Sequence, residues 1–308
     1  MTFKTCCKRS LAVCLLGLAS ATMFAETASA QPLCVVDDKQ REVCMAHPAT
    51  RIAALSPGAT ELIYAAGAGD KVVAVVSFSD YPPEAKQVTS VGSHTRLDLE
   101  RVLSLKPDLV LAWGTGNPSE QIATLERVGM TVYYVEPHNF EDIVDNIKDM
   151  ARLSGTENIG YKAADDFIAG IHALATRYQN ASPVSTFYQV WDEPLMSMNR
   201  DHYISKVVTL CGGVNVFADS PRLIPRLNQE AVLIKNPEAI LAGGMGERNA
   251  KWLEKWRAFP ELLATQWDNL FFIPPSLIQR PTPRLLDGAR ILCEKLDIAR
   301  QHRRERTL

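Results

Sequence analysis

Residues 97–114, LDLERVLSLKPDLVLAWG, recur 130 positions later and without a gap as residues 227–244, LNQEAVLIKNPEAILAGG. Eight of the eighteen positions are identical: Leu97/Leu227, Glu100/Glu230, Val102/Val232, Leu103/Leu233, Pro107/Pro237, Leu111/Leu241, Ala112/Ala242 and Gly114/Gly244. Asp108/Glu238 and Val110/Ile240 are conservative pairs. Each copy reads as a short helix, a proline turn, a buried strand and a glycine. The period is far too long for a solenoid. Two distant copies of one helix–strand unit require two similar α/β lobes, and two lobes leave a cleft, where ligands commonly sit.

The rest of the chain fits that frame. Residues 51–55 read as a strand ending at Ser56-Pro57, and 59–66 as a helix stopped by Gly67. Residues 72–76 are continuously apolar, as in a parallel strand covered on both faces. A helix over 99–105 ends before Pro107, followed by a strand at 109–112, a helix at 119–128 stopped by Gly129, and a strand at 131–135. Strands alternating with helices imply a mainly parallel sheet. The pattern then changes. Residues 140–153 form one amphipathic helix, and 157–179 run without proline, with Ala164, Phe167, Ile168, Ile171, Leu174 and Ala175 at helical spacing. This second helix lies between the repeat copies and is expected to join the lobes. It resists bending far more than a Gly/Ser linker, which predicts limited hinge motion. A strand at 186–190, a loop at 191–199, a helix at 204–210, the second copy, a strand at 271–273 and a last helix at 283–296 complete the second lobe. The expected fold is α/β: two Rossmann-like lobes with mainly parallel sheets joined by one long rigid helix. The expected boundaries are 31–150 for the N-terminal lobe (31–48 a hairpin extension), 151–182 for the connecting helix and 183–308 for the C-terminal lobe.

Residues 1–30 carry an export address. Lys4, Lys8 and Arg9 open the chain, an apolar stretch covers 11–24, and Ala28-Ser29-Ala30 offers a cleavage site before Gln31. The stretch is too short to span a membrane and reads as a cleaved signal peptide, which places the mature protein in the periplasm. Lipidation at Cys14 fits poorly, because Leu11-Ala12-Val13 is not the small-residue approach that it needs. Cys6, Cys7 and Cys14 leave with the signal. The even remainder, Cys34, Cys44, Cys211 and Cys293, favours disulfides in an exported protein over buried free thiols. Cys34 and Cys44 flank a hairpin turning at Asp38-Lys39-Gln40, and Cys211 with Cys293 would pin the last helix to the second lobe. Neither set has zinc-site spacing. A net charge of −2 with no basic stripe argues against nucleic acid.

With two lobes, a helical tie and export in place, the chain resembles type III periplasmic solute-binding proteins, which serve ABC importers of metal chelates, and most of all their cobalamin-binding members. RIAALSPGATELIYAAGAGDKVVAV, SFSDYPPEAKQV, LDLERVLSLKPDLVLAWGTGN, VVTLCGGVNVF and Pro283-Arg284 with the helix after them carry the resemblance. It implies a monomeric binding protein, not an enzyme, with cobalamin as transported ligand rather than cofactor, and with the permease subunits of an ABC transporter as partner. It also implies that one glutamate per lobe docks on permease arginines. The matching positions are Glu100 and Glu230, the pair that the internal repeat singles out independently. A pseudo-symmetric pair of acids suits a two-fold transporter; the plainer reading is two acids favourable to helix N-termini. The resemblance further implies a cleft lined by aromatics that cover the corrin. Phe78 keeps a ring in place of tyrosine, Trp113 matches a tryptophan, and Arg280 matches an arginine near the ligand. His94 and Ile224 stand where tryptophan is expected, Leu195 for phenylalanine, and Ser276 for aspartate. Tyr81 and Trp191 lie in adjacent loops and offer replacement ring area. A neutral imidazole at His94 can ligate cobalt or iron or serve as a polar rim.

These departures keep a second ligand class open: haem or a ferric siderophore. An exported enzyme would use the same cleft, with His94, Asp80 and Glu193 as candidates, but no nucleophile elbow, HExxH or phosphate loop occurs. Gly243-Gly244-Met245-Gly246 lacks dinucleotide-binding spacing. A sensor subunit would bind the same ligand but dock on a receptor.

Overall fold

The computed structural model describes residues 32–243, 246 and 250–306. The expected signal segment and the repeat glycine at 244 lie outside the described residues. Strands β1 (Leu33–Val36) and β2 (Glu42–Met45) form an antiparallel hairpin with Cys34 opposite Cys44, and the two are bonded. The first lobe follows: β3 (Ile52–Ala54), α1 (Pro57–Ala65), β4 (Val72–Ala74), the two-residue strands β5 (Gly92–Ser93) and β6 (Arg96–Leu97), α2 (Leu99–Ser104), β7 (Leu109–Trp113), α3 (Ser119–Arg127) and β8 (Thr131–Val135). Helices α4 (Phe140–Ser154) and α5 (Glu157–Tyr178) lead to the second lobe: β9 (Val184–Gln189), α6 (Tyr203–Leu210), β10 (Gly213–Asn215), α7 (Gln229–Lys235), β11 (Ala239–Ala242), α8 (Lys251–Glu254), α9 (Leu263–Gln266), β12 (Leu270–Phe272), α10 (Pro275–Ile278) and α11 (Leu285–Arg306).

The two four-stranded sheets have the same order, β4-β3-β7-β8 and β10-β9-β11-β12, and every pairing in them is parallel. The repeat holds in atomic detail. Asp98 caps α2 by accepting from Arg101 N, and Asn228 caps α7 by accepting from Ala231 N. Lys106 (φ 49°) and Asn236 (φ 42°) both turn left-handed just before the shared proline. Asp108 then accepts from the backbone of Thr50 and Arg51, and Glu238 from Ser185 N. Each carboxylate ties the start of the repeat strand to the start of its sheet neighbour.

Alternation along these strands sorts the core. Ile52, Ala54, Leu109, Leu111, Ala239 and Leu241 face one continuous core shared by both lobes, which also takes in α4, α5 and α11. Ala53, Val110 and Ala112 face a separate outer core in the first lobe; Phe187, Ile240 and Ala242 face its counterpart in the second. Period-two alternation inside uniformly apolar strands is what a parallel sheet covered on both faces requires. Helix α5, about 33 Å long, buries Gly160, Ala164, Phe167, Ile171, Leu174 and Tyr178. A Cβ at Gly160 would fall 2.4 Å from that of Ala151, so only glycine lets α5 lie this close to α4. Burial of this face in the shared core stiffens the tie further.

Three expectations need correction. Ala175, placed in the apolar stripe of the connecting helix, is exposed. The last helix does not end at 296 but runs to Arg306, because Ala299 and Arg300 are buried too, and Arg300 donates to the carbonyls of Ser182 and Cys211. Strand β10 was not expected: three residues that begin with glycine show no periodicity. Cys211 and Cys293 are bonded and fully buried, fixing α6 to α11.

Candidate functional site

The C-terminal ends of parallel strands are where α/β folds place their ligand loops. In the first lobe that end carries three exposed rings: Phe78 at 74 % exposure, Tyr81 at 42 % and Trp113 at 36 %. Trp113 is held on three sides. Its backbone N donates to Asn117 Oδ1, its indole Nε1 donates to Glu136 Oε1 at 3.3 Å, and its ring lies on Gly116, where a Cβ would sit 1.9 Å from ring carbon. Glu136 is itself fixed by Thr115, which donates from both N and Oγ1. The ring of His94, half-buried in the β5–β6 turn, stands 5.5 Å from that of Trp113, and its carbonyl accepts from Asn117 Nδ2. Asn117 thus ties together the backbones that carry both rings. Phe78 takes φ 67°, a backbone region that costs a bulky residue about 1–2 kcal/mol.

In the second lobe Trp191 is 42 % exposed; its indole donates to Glu193 O and packs edge-on against Trp252. The position equivalent to Trp113 is Gly243, and a Cβ there would meet Gln279 Nε2 at 2.7 Å. Ile224 is half-buried against the shared core. Leu195 lines a cavity of about 210 Å³ with Gln189, Asp192, Asn228, Trp252 and Trp256, at the start of α7; Trp252 is the ring against which Trp191 packs. Ser276 falls in the short helix α10. His202 caps α6, its Nδ1 accepting from Ile204 N; burial, and after it the neighbouring His138, push its pKa down to about 4. Its imidazole is therefore neutral and Nε2-protonated.

Arg280 is engaged across the lobes. It donates to Glu61 Oε1 at 2.8 Å, to Asp80 Oδ1 at 2.9 Å and to Phe78 O at 3.1 Å. Burial works against its charge, but the bonds to Glu61 and Asp80 outweigh this and raise its pKa. Glu61 on α1 also accepts from Thr282 and, twice, from Arg284. Sequence reasoning missed Glu61, Asn117, Glu136 and Arg284. Glu61 left one trace, a charge inside the otherwise apolar ATELIYAAG run; Asn117 and Arg284 lie in segments that carry the resemblance but had no role assigned, and Glu136 left no signal.

Glu100 and Glu230 are exposed, each in the first turn of its repeat helix. A cavity of about 560 Å³ lined by Arg96, Leu97, Asp98, Glu100 and Gln121 opens beside Glu100. No helix among the described residues is long and apolar enough to cross a membrane.

Residues 52–277 match the family described as periplasmic binding protein. The chain belongs to the periplasmic binding protein family. Within it, the chain is 40 % identical over 254 residues to the vitamin B12-binding protein of Vibrio cholerae serotype O1, covering 82 % of this chain and 91 % of that one. The crystal structure of the periplasmic vitamin B12 binding protein BtuF of Vibrio cholerae superposes with a TM-score of 0.76, at 40 % identity over 82 % of this chain and 98 % of that one. The periplasmic heme-binding protein RhuT from Roseiflexus sp. RS-1 in apo form has the same fold, with a TM-score of 0.72 at 24 % identity, covering 81 % of this chain and 98 % of that one. Members of the family bind substrates rather than transform them, and periplasmic binding protein describes both this chain's build and its class.

Proposed function

We propose that this protein captures cobalamin in the periplasm between its two lobes and delivers it to an ABC importer. The observation that carries the reading is 40 % identity to a vitamin B12-binding protein along 82 % of the chain. The geometry supports it: Phe78, Tyr81, Trp113 and Trp191 expose apolar ring faces of the kind that cover a broad, flat macrocycle. An exposed, backbone-strained phenylalanine is costly to keep unless a ligand uses it. Ligand closes the lobes only slightly, because α5 and the shared core resist bending. Glu100 and Glu230 then meet cationic groups on the permease subunits, and docking spreads the lobes to release the ligand.

Calorimetry of the mature protein against cyanocobalamin, haemin and a ferric siderophore tests the ligand. Tight one-to-one cobalamin binding is expected; silence with cobalamin beside a clear haemin or siderophore signal overturns it. That second reading is favoured by His94, whose imidazole stands beside Trp113 and suits iron as well as cobalt. Docking is tested by cellular uptake in Glu100→Ala/Glu230→Ala. Lost uptake with unchanged ligand affinity is expected, and unchanged uptake removes the docking role.

A further inference from the structure

We infer that Glu61 is a positioning residue for the ligand-binding loop of the first lobe, acting from beneath the cleft through Arg280 and Arg284 of the second lobe. The inference rests on the cleft holding the ligand, and deepens that reading.

Glu61 sits on α1 with its side chain 2 % exposed. A carboxylate this buried must be paired. Among the described residues its side-chain partners come from the other lobe, 219 to 223 residues away: Arg280 Nη1 at 2.8 Å, Thr282 Oγ1 at 2.7 Å, and Arg284 Nε and Nη2 at 3.0 and 2.6 Å. Both arginines then reach past Glu61 to the same short loop. Arg280 grips Asp80 and the carbonyl of Phe78, the residue with left-handed backbone. Arg284 lays its guanidinium 3.9 Å over the ring of Tyr81. One buried carboxylate thereby aligns two cations, and these hold the two exposed rings of the loop from the opposite lobe.

The arrangement links lobe separation to ligand release. Moving the second lobe away draws Arg280 off Phe78 and Asp80, and Arg284 off Tyr81. A loop with one strained residue then loses its clamp, and its rings leave the ligand. Within the closed protein the same clamp lowers the loop's conformational freedom before ligand arrives, which favours retention.

Glu61→Gln keeps the shape and removes the charge. Hydrogen–deuterium exchange of the ligand-free variant is expected to speed up about 10-fold in residues 76–82 and 279–285 and to be unchanged in α2 and α7. Cobalamin dissociation is expected to rise about 10-fold, with association within about 2-fold of wild type. Unchanged exchange in the loop, uniform acceleration over both lobes, or unchanged dissociation would overturn the inference. Should Glu61→Gln fail to fold, Asp80→Asn and Arg280→Lys carry the test, since Asp80 is half exposed; about 3-fold effects on the same two readouts are expected, and none would overturn it. If wild type binds no cobalamin, the ligand assignment falls, while loop exchange in the free protein still decides the clamp.

Discussion

The two lobes share a frame and differ at its ends. Asp98 and Asn228 cap the repeat helices, Lys106 and Asn236 make the same left-handed turn, and Asp108 and Glu238 tie the same pair of strands. At the cleft end the equivalence stops within one residue. Trp113 in the first lobe corresponds to Gly243 in the second, and the loop that carries Phe78 and Tyr81 has no aromatic twin in the second lobe beyond Trp191. Features that build the sheet are retained in both copies, because the same packing problem recurs. On the proposed reading, the features at the ligand end diverge because an asymmetric ligand would touch each lobe differently. The first lobe supplies the loop of Phe78 and Tyr81; the second supplies Arg280, bonded to Phe78 O and Asp80, and Arg284, which lies over the Tyr81 ring.

The largest expected difference concerns the disulfides. Cys211–Cys293 closes a loop of 82 residues and Cys34–Cys44 one of 10. Loop entropy predicts about 4–5 kcal/mol for the former and about 3 for the latter. Paired serine replacement at 211 and 293 should lower the melting temperature by roughly 10 °C, and the hairpin pair should cost less. Equal losses would show that chain entropy does not set the ranking.

Next comes ligand affinity. Trp113→Ala should weaken cobalamin binding about 30-fold and Trp191→Ala about 5-fold, as expected for a central and a peripheral aromatic contact. Gly116→Ala leaves the indole intact but takes its resting place, and should act in the same direction as Trp113→Ala with a melting temperature close to wild type. Equal losses at Trp113 and Trp191 would remove the claimed division of labour.

The lobes should also respond oppositely to acid. Burial raises Asp38 and Asp149 of the first lobe to about 6, against ordinary values near 3.8. Between about pH 4 and 6 the native state holds protons there that the unfolded chain has lost, so these groups add stability as pH falls through that window. His202 of the second lobe, lowered from 6.5 to about 4, behaves the other way: the unfolded chain takes up a proton first, and stability is lost as pH falls from 6.5 towards 4. Melting curves from pH 7 to 4 should rise relative to wild type at the acid end for His202→Asn, which can still cap α6. Asp149→Asn should be more stable than wild type at pH 7 and lose that advantage by pH 4. Parallel curves for either variant would refute the assignment.

The smallest effect separates the two left-handed residues. Lys106→Gly should stabilise by about 0.5–1 kcal/mol by relieving a positive φ. Asn236→Gly should gain less or lose, because the Asn236 side chain also accepts from Leu263 N. Urea unfolding of the two variants distinguishes them.

Much of the frame was legible in the chain. The helix starts and stops around Ser56, Gly67, Pro107 and Gly155 are local signals, and the strands at 109–113 and 131–135 are long enough to read. The edge strand β10 and the far half of α11 were not, since three residues carry no period and since the burial of Ala299 and Arg300 depends on α6 and β9 being nearby. Of the candidate site, the exposed aromatics and the repeat-related pair Glu100 and Glu230 were legible through the repeat and the resemblance. Arg280 was singled out through the resemblance, but its engagement with Phe78 and Asp80 was not legible.

By itself the sequence determined that there are two α/β units, that an unbroken helix separates them, and that one glutamate stands at the same place in each, because periodicity, caps and repetition are local or self-referential. Only the tertiary structure decided that Glu61 meets Arg280 and Arg284, that Gly116 seats Trp113, and that Leu195 shares a cavity with Trp252 and Trp256. Those contacts join residues that no period relates, and a buried charge or a ring over a glycine is defined by what the fold brings against it.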